Sequence, residues 1–258
     1  MIFDIAYSVI FHQSPSYVNH FLKNLDFFNK NNKYIVVLHL STNLYEKREH
    51  INGKNFIINN VCSDKRKYTM CITKATLQNY KFLLDSNVEF NNFMTISSAC
   101  RFIKQAPHFE NRDTQVRNFK KEVELEKYRK WHWNFFKKNS KIINILVSNQ
   151  MSFCGGQLSG ALYERNIFQE IYDFIIDNDI LNKVTKQICF EEILLPTLYK
   201  YFTGKRYETY CRIFWSRGRK GPSVQQIKNI MKDNNCLIKR ADNLESNLMK
   251  FIESLMVE

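Results

Sequence analysis

Tyr34-Ile35-Val36-Val37-Leu38-His39-Leu40 is a near-continuous apolar run of β-branched and large residues. A strand with one wet face alternates apolar and polar side chains. An unbroken apolar run is instead the pattern of a strand covered on both faces, as in a parallel sheet. Parallel strands need crossover connections, and the flanking sequence supplies them. Upstream, Phe3 to Phe11 reads as an apolar strand. It is followed by His12-Gln13-Ser14-Pro15-Ser16 and a helix with Val18, Phe21, Leu22 and Leu25 at helical spacing. Downstream come a short strand, Phe56-Ile57-Ile58, a helix over Leu77 to Leu84, and a strand at Phe93-Met94-Thr95-Ile96-Ser97 entering the loop Ser98-Ala99-Cys100-Arg101. This strand–helix alternation predicts an α/β class with an open, mostly parallel sheet. Ligands of such sheets sit beyond the carboxyl ends of the strands. His12-Gln13-Ser14, Ser41-Thr42-Asn43 and Ser97-Ser98 fall at those ends and are candidate pocket residues, His12, Ser14, Ser41 and Ser98 first among them.

The composition bounds the rest. At 258 residues, 44% hydrophobic and 14% aromatic, the chain is too apolar to be disordered and long enough to bury a substantial core. With 7 Gly and 4 Pro no flexible linker announces a boundary, so a single domain over 1–258 is expected. Met1-Ile2-Phe3-Asp4 does not read as a signal peptide, and no apolar run approaches the ~20 residues of a membrane span. The seven Cys are scattered and odd in number, which predicts free thiols in a reducing, cytoplasmic setting. The net charge of +13 implies anionic partners. Nucleic acid, an anionic membrane face and nucleotide-sugar phosphates all satisfy it, as does a merely solvated basic face.

Three further regions carry chemistry. Glu110 to Asn139 is charged and aromatic. Trp131 and Trp133 among its cations either stack on sugars or bases, or pack against the core. Ile142 to Val147 reads as another buried strand. Phe153-Cys154-Gly155-Gly156-Gln157-Leu158-Ser159-Gly160 holds three Gly, which let a backbone approach a ligand closely or simply form a turn. A helix then starts near Arg165, with Ile167, Ile171, Phe174 and Ile175 on one face, and Leu194, Leu198, Tyr201 and Phe202 repeat that spacing in the next.

Glu191 and Glu192 precede Pro196 by five and four residues. Proline has no N–H, so a helix through Pro196 leaves the Glu192 carbonyl without its usual partner. The carboxylates therefore mark a helix start or bend, either facing a cleft or merely complementing the helix dipole. A cationic stretch, Arg212 to Lys220, contains Trp215, Arg217 and Arg219. The pair Lys239-Arg240 follows Cys236-Leu237-Ile238. Asp177-Asn178-Asp179 has the spacing of a metal motif but follows an amphipathic helix, which suits a solvated helix end. His132, between two Trp, has no Cys or His at zinc spacing.

The ordered set resembles the core-2/I-branching β-1,6-N-acetylglucosaminyltransferase family. The resemblance runs from Ile5-Ala6-Tyr7-Ser8-Val9-Ile10-Phe11-His12-Gln13-Ser14-Pro15 through Leu158-Ser159-Gly160-Ala161-Leu162-Tyr163 and Glu191-Glu192-Ile193-Leu194-Leu195-Pro196-Thr197. It continues through Trp215-Ser216-Arg217-Gly218 to Leu237-Ile238-Lys239-Arg240, covering residues 2 to about 242. It implies a single-domain GT-A-like glycosyltransferase fold with a mostly parallel, Rossmann-like central sheet flanked by helices. A nucleotide-binding half would span 1–105, and an acceptor and catalytic half 106–258. It implies inverting, metal-independent transfer from a UDP-sugar, with Glu192 as base and Glu191 beside it. His12, Ser14, Ser41, Ser98, Gly160, Arg212, Arg217, Arg219, Lys239 and Arg240 would bind the donor. Trp131, Trp133 and Trp215 would meet an oligosaccharide or lipid-linked glycan acceptor. The implied setting is bacterial surface-glycan synthesis in the cytoplasm or at the anionic inner face of the membrane, with no metal, no further cofactor and no nucleic acid.

Two departures stand out. Ser97-Ser98-Ala99-Cys100-Arg101 occupies the position of the family's Gly-Gln-Asp-type sequence, and Gly221 stands where the family has His before Pro222. A basic nucleic-acid-binding protein, and a magnesium-dependent nuclease or phosphotransferase using Glu191, Glu192 and the pair Asp177 and Asp179, are the competing classes.

Overall fold

The computed structural model describes residues 1–62, 68–108, 134, 136–185, 190–205, 209–213, 222–232, 235–239 and 246–257. Its central sheet contains β1 (Ile2–Phe11), β2 (Tyr34–Leu40), β3 (Phe56–Ile58), β4 (Glu89–Ser97) and β6 (Ala161–Glu164), in the order β3-β2-β1-β4-β6. The first four are parallel, and β6 runs antiparallel to β4. The protein is thus mixed α/β, with a mostly parallel sheet flanked by helices.

All seven residues of β2 are buried, as its unbroken apolar composition predicts. Strand alternation divides the interior in two. Tyr7, Val9, Val36, Leu38, Met94 and Ile96 face α1 (Pro15–Phe28) through Val18, Phe21, Leu22 and Leu25. Ala6, Ile35, Val37 and Phe93 face the other way, toward Leu77, Tyr80 and Leu83 of α3 (Tyr68–Asp85). Ser14 starts α1, its hydroxyl accepting from the Tyr17 N–H, with Pro15 at the first helical position where a missing N–H costs nothing. Between these, α2 (Thr42–Tyr45) is a single turn after β2.

Ile142–Val147 is helical. It lies in α4 (Ser140–Ser148), where only Ile142 and Leu146 are buried while Asn144 and Val147 are exposed. That i, i+4 burial is a helix face, which β-branched composition disguised. Two further helices, α5 (Arg165–Asp177) and α7 (Glu191–Thr203), pack on the α3 side through Phe168, Ile171, Ile175, Leu194, Leu195 and Leu198. The one-turn α6 (Ile180–Lys183) links them.

A second sheet grows from the carboxyl end of β4. Only Ser98 and Ala99 form the expected loop. Cys100 and Arg101 belong to β5 (Cys100–Phe102), which pairs antiparallel with β8 (Leu237–Lys239), itself parallel to β7 (Cys211–Ile213). Ile103 and Ile238 bury their side chains under α8 (Val224–Ile230) and α9 (Asn247–Ser254). Among the described residues no helix is long and apolar enough to cross a membrane.

Candidate functional site

The strand order reverses at β1, whose neighbours are β2 on one side and β4 on the other. Loops leaving such a switch point diverge and open a crevice at the carboxyl ends. The loops after β1 and β4 are joined here by Gln13, whose Nε2 donates to Ser98 Oγ at 2.9 Å. Ser41 is buried, its N–H donating to the Phe11 carbonyl at 2.9 Å. His12 is half-buried between them. The Ser14 hydroxyl is taken up by the α1 cap and by Ser16 Oγ at 2.8 Å, so its observed work is structural.

Arg101 stands where the resemblance expects an acidic neighbourhood, and it is fully buried. Its Nη1 donates to the carbonyls of Ser98 at 2.8 Å and Cys100 at 2.6 Å, and its guanidinium lies 4.5 Å from the Tyr17 ring centroid. Nε donates to His20 Nδ1 at 3.3 Å. His20 Nε2 therefore carries the proton and donates to Glu253 Oε1 at 3.0 Å. Burial first, and then the Arg101 charge, hold His20 below its ordinary pKa. The cation braces the Ser98 turn from beneath.

The carboxylates open α7, and the break anticipated at Pro196 is repaired from outside the helix. The Gly156 N–H donates to the Glu192 carbonyl at 2.7 Å, supplying what residue 196 lacks. One turn on, the Cys154 N–H donates to Thr197 Oγ1 at 3.0 Å, and that hydroxyl donates back to the Cys154 carbonyl at 3.3 Å. The 154–156 segment is thus a brace for α7.

Gly160 has a different use from the one expected. Its φ is +77°, and a Cβ there would meet Cys211 Cβ at 2.6 Å and Cys211 N at 2.8 Å. The close approach it permits is to β7 rather than to a ligand. The N–H of Gly160 donates to the Thr95 carbonyl at 2.7 Å, and its carbonyl accepts from the Tyr210 N–H at 2.8 Å. The 154–161 segment therefore ties the start of α7 to the end of β4.

The two carboxylates differ in environment. Glu191 is buried and Glu192 half-buried. Burial is the chief force pushing the Glu191 carboxyl up to about 8. Its own backbone N–H opposes the shift, the neighbouring Glu192 charge adds to it, and the Lys239 ammonium opposes it. Glu191 Oε2 has no hydrogen-bond partner. Lys239 ends β8 in register with Cys100, two residues beyond Ser98, so the small sheet carries its charge alongside the strand that leaves the Ser98 turn. Beneath it Cys100 Sγ lies 3.7 Å from Cys211 Sγ. Burial raises the Cys211 thiol well above its ordinary value.

Ser98 follows β4, Lys239 pairs with Cys100 two residues further on, and the 154–161 segment links Thr95 of β4 to the start of α7, where Glu191 feels the Lys239 charge. Arg212 is exposed on β7. Trp131, Trp133, Trp215, Arg217, Arg219, Arg240 and His132 lie outside the described residues. Asp177 and Asp179 are exposed at the carboxyl end of α5. Among the described residues no three His, Cys, Asp or Glu side chains group as metal ligands. Tyr17 was not singled out by sequence. Gln13 was expected at the strand ends within His12-Gln13-Ser14, and Thr197 stood in the segment that carries the resemblance. Comparison with protein-family models and with curated protein sequences finds no match to this chain.

Proposed function

We propose that this chain is an inverting, metal-independent glycosyltransferase of GT-A-like fold, moving a sugar from a UDP-sugar to a glycan hydroxyl. N-acetylglucosamine is the first donor to test. The carrying observation is the convergence of a carboxylate pair and Lys239 beside a crevice at a parallel-sheet switch point. In this reading the half-buried Glu192 takes the proton of the acceptor hydroxyl. That oxygen attacks the anomeric carbon as the bond to the diphosphate breaks on the opposite face, and UDP leaves. Lys239 stabilises the charge developing on the diphosphate, with Arg240 beside it in sequence. Gln13 and Ser98 line the donor crevice, and Arg101 holds their turn in place. A glycan acceptor, lipid-linked or free, and a cytoplasmic site at the inner membrane face fit the +13 charge.

The test is a nucleotide-sugar panel read by thermal shift and calorimetry, with and without EDTA. One UDP-sugar is expected to stabilise the protein whether or not EDTA is present, and Lys239→Ala/Arg240→Ala is expected to abolish the effect. Absence of any nucleotide-sugar response, with salt-dependent oligonucleotide binding in its place, would overturn the reading in favour of a nucleic-acid-binding protein.

A further inference from the structure

Adjacent carboxylates at a helix start are chemically alike, yet here one is enclosed and its neighbour reaches water. Two charges so close are not both cheap to keep when one is buried, so the enclosed group is the one that holds its proton. Glu191 Oε2 has no partner, and a carboxylic acid has an O–H that must find an acceptor. Among the described residues, the cation whose charge acts on it is Lys239 on β8. An anion drawn to Lys239 would offer that acceptor. It would also offset the Lys239 charge, which favours ionising Glu191, strengthening the hold on the proton.

We propose that Glu191 is a neutral hydrogen-bond donor to a phosphate-like anion held by Lys239, leaving base chemistry to Glu192 alone. This rests on the anion site of the functional reading but assigns the pair two different tasks. Among the described residues, the charged and titratable groups acting on Glu191 are Glu192 on its own helix and Lys239 on β8, with the Cys100 and Cys211 thiols next to Lys239.

Inorganic sulfate keeps a constant charge over the working range, so calorimetry with sulfate from pH 7 to 9.5 isolates the protein's proton. Affinity is expected to fall roughly tenfold across that range as Glu191 ionises. Glu191→Gln keeps a donor at every pH and is expected to bind with no such fall. Glu191→Leu is expected to bind weakly throughout, and Cys100→Ser to keep the wild-type profile. A flat wild-type profile, or one unchanged in Glu191→Gln, overturns the proposal even if UDP binds tightly, and the functional reading survives. If sulfate binding is proton-linked through Glu191 but UDP binds no better than sulfate, the proposal stands and the nucleotide reading falls. If neither anion binds at any pH, both are overturned.

Discussion

Glu191 and Glu192 are adjacent, and about 100° of helix rotation gives them different surroundings. A base must reach both its substrate and water, and of the two only Glu192 retains substantial exposure. Glu192→Gln is therefore expected to lower kcat by about 10²- to 10⁴-fold while the affinity for UDP stays within twofold, measured by steady-state turnover and calorimetry. Loss of UDP binding in that variant would mean the carboxylate positions the donor instead. The sequence marks the pair but not the division between them, because which side chain is enclosed is set by tertiary packing around the start of α7. Gly160 is the other position where a single residue decides. With φ at +77° and Cys211 filling the space of a side chain, Gly160→Ala is expected to cost about 2–4 kcal/mol in denaturant unfolding.

At the scale of elements, α7 runs through a proline because a loop some forty residues upstream completes its hydrogen bonding. Thr197→Val removes the hydroxyl that both accepts from and donates to Cys154, leaving a backbone N–H without its partner. A loss of about 1–3 kcal/mol is expected, seen as a lower denaturation midpoint at unchanged slope. An unchanged midpoint would mean the loop is held by the Gly156 bond alone. The elements themselves were legible where composition and period agree. The unbroken apolar run of β2 predicted burial on both faces, and α1 announced itself by Ser14, Pro15 and the spacing of Val18, Phe21 and Leu25. In α4 they disagree. Ile142, Ile143, Ile145 and Val147 are strand formers by type, and a short apolar run does not record whether one face or two will be covered. The three-residue strands β5, β7 and β8 were only partly legible, since pairing between residues 100 and 239 is set by tertiary packing.

Across the whole molecule, two buried titratable groups tilt stability in opposite directions. His39 is pushed down by burial to about 4 from an ordinary 6.5. As pH falls through 6.5 the unfolded chain takes up a proton that the folded one refuses until about 4, so stability is lost over that window. Glu191 is raised from 4.5 to about 8. Its contribution is complete below 4.5 and is lost as pH rises toward 8, where folding must enclose a charge. The effect is on the order of 3 kcal/mol at most for His39 and about 5 kcal/mol at most for Glu191. Glu191→Gln is thus expected to be more stable than wild type at pH 8 and equal to it near pH 4. Thermal unfolding across pH would contradict this if the two curves ran parallel. The Gly156–Glu192 bond has a consequence for genetics as well. The register of the carboxylates is held partly by a main-chain bond that every residue at 156 but proline would keep, so in a saturation screen for inactive alleles Gly156→Pro should appear together with lesions at the acids. That allele would keep the whole reactive set of side chains and still be silent.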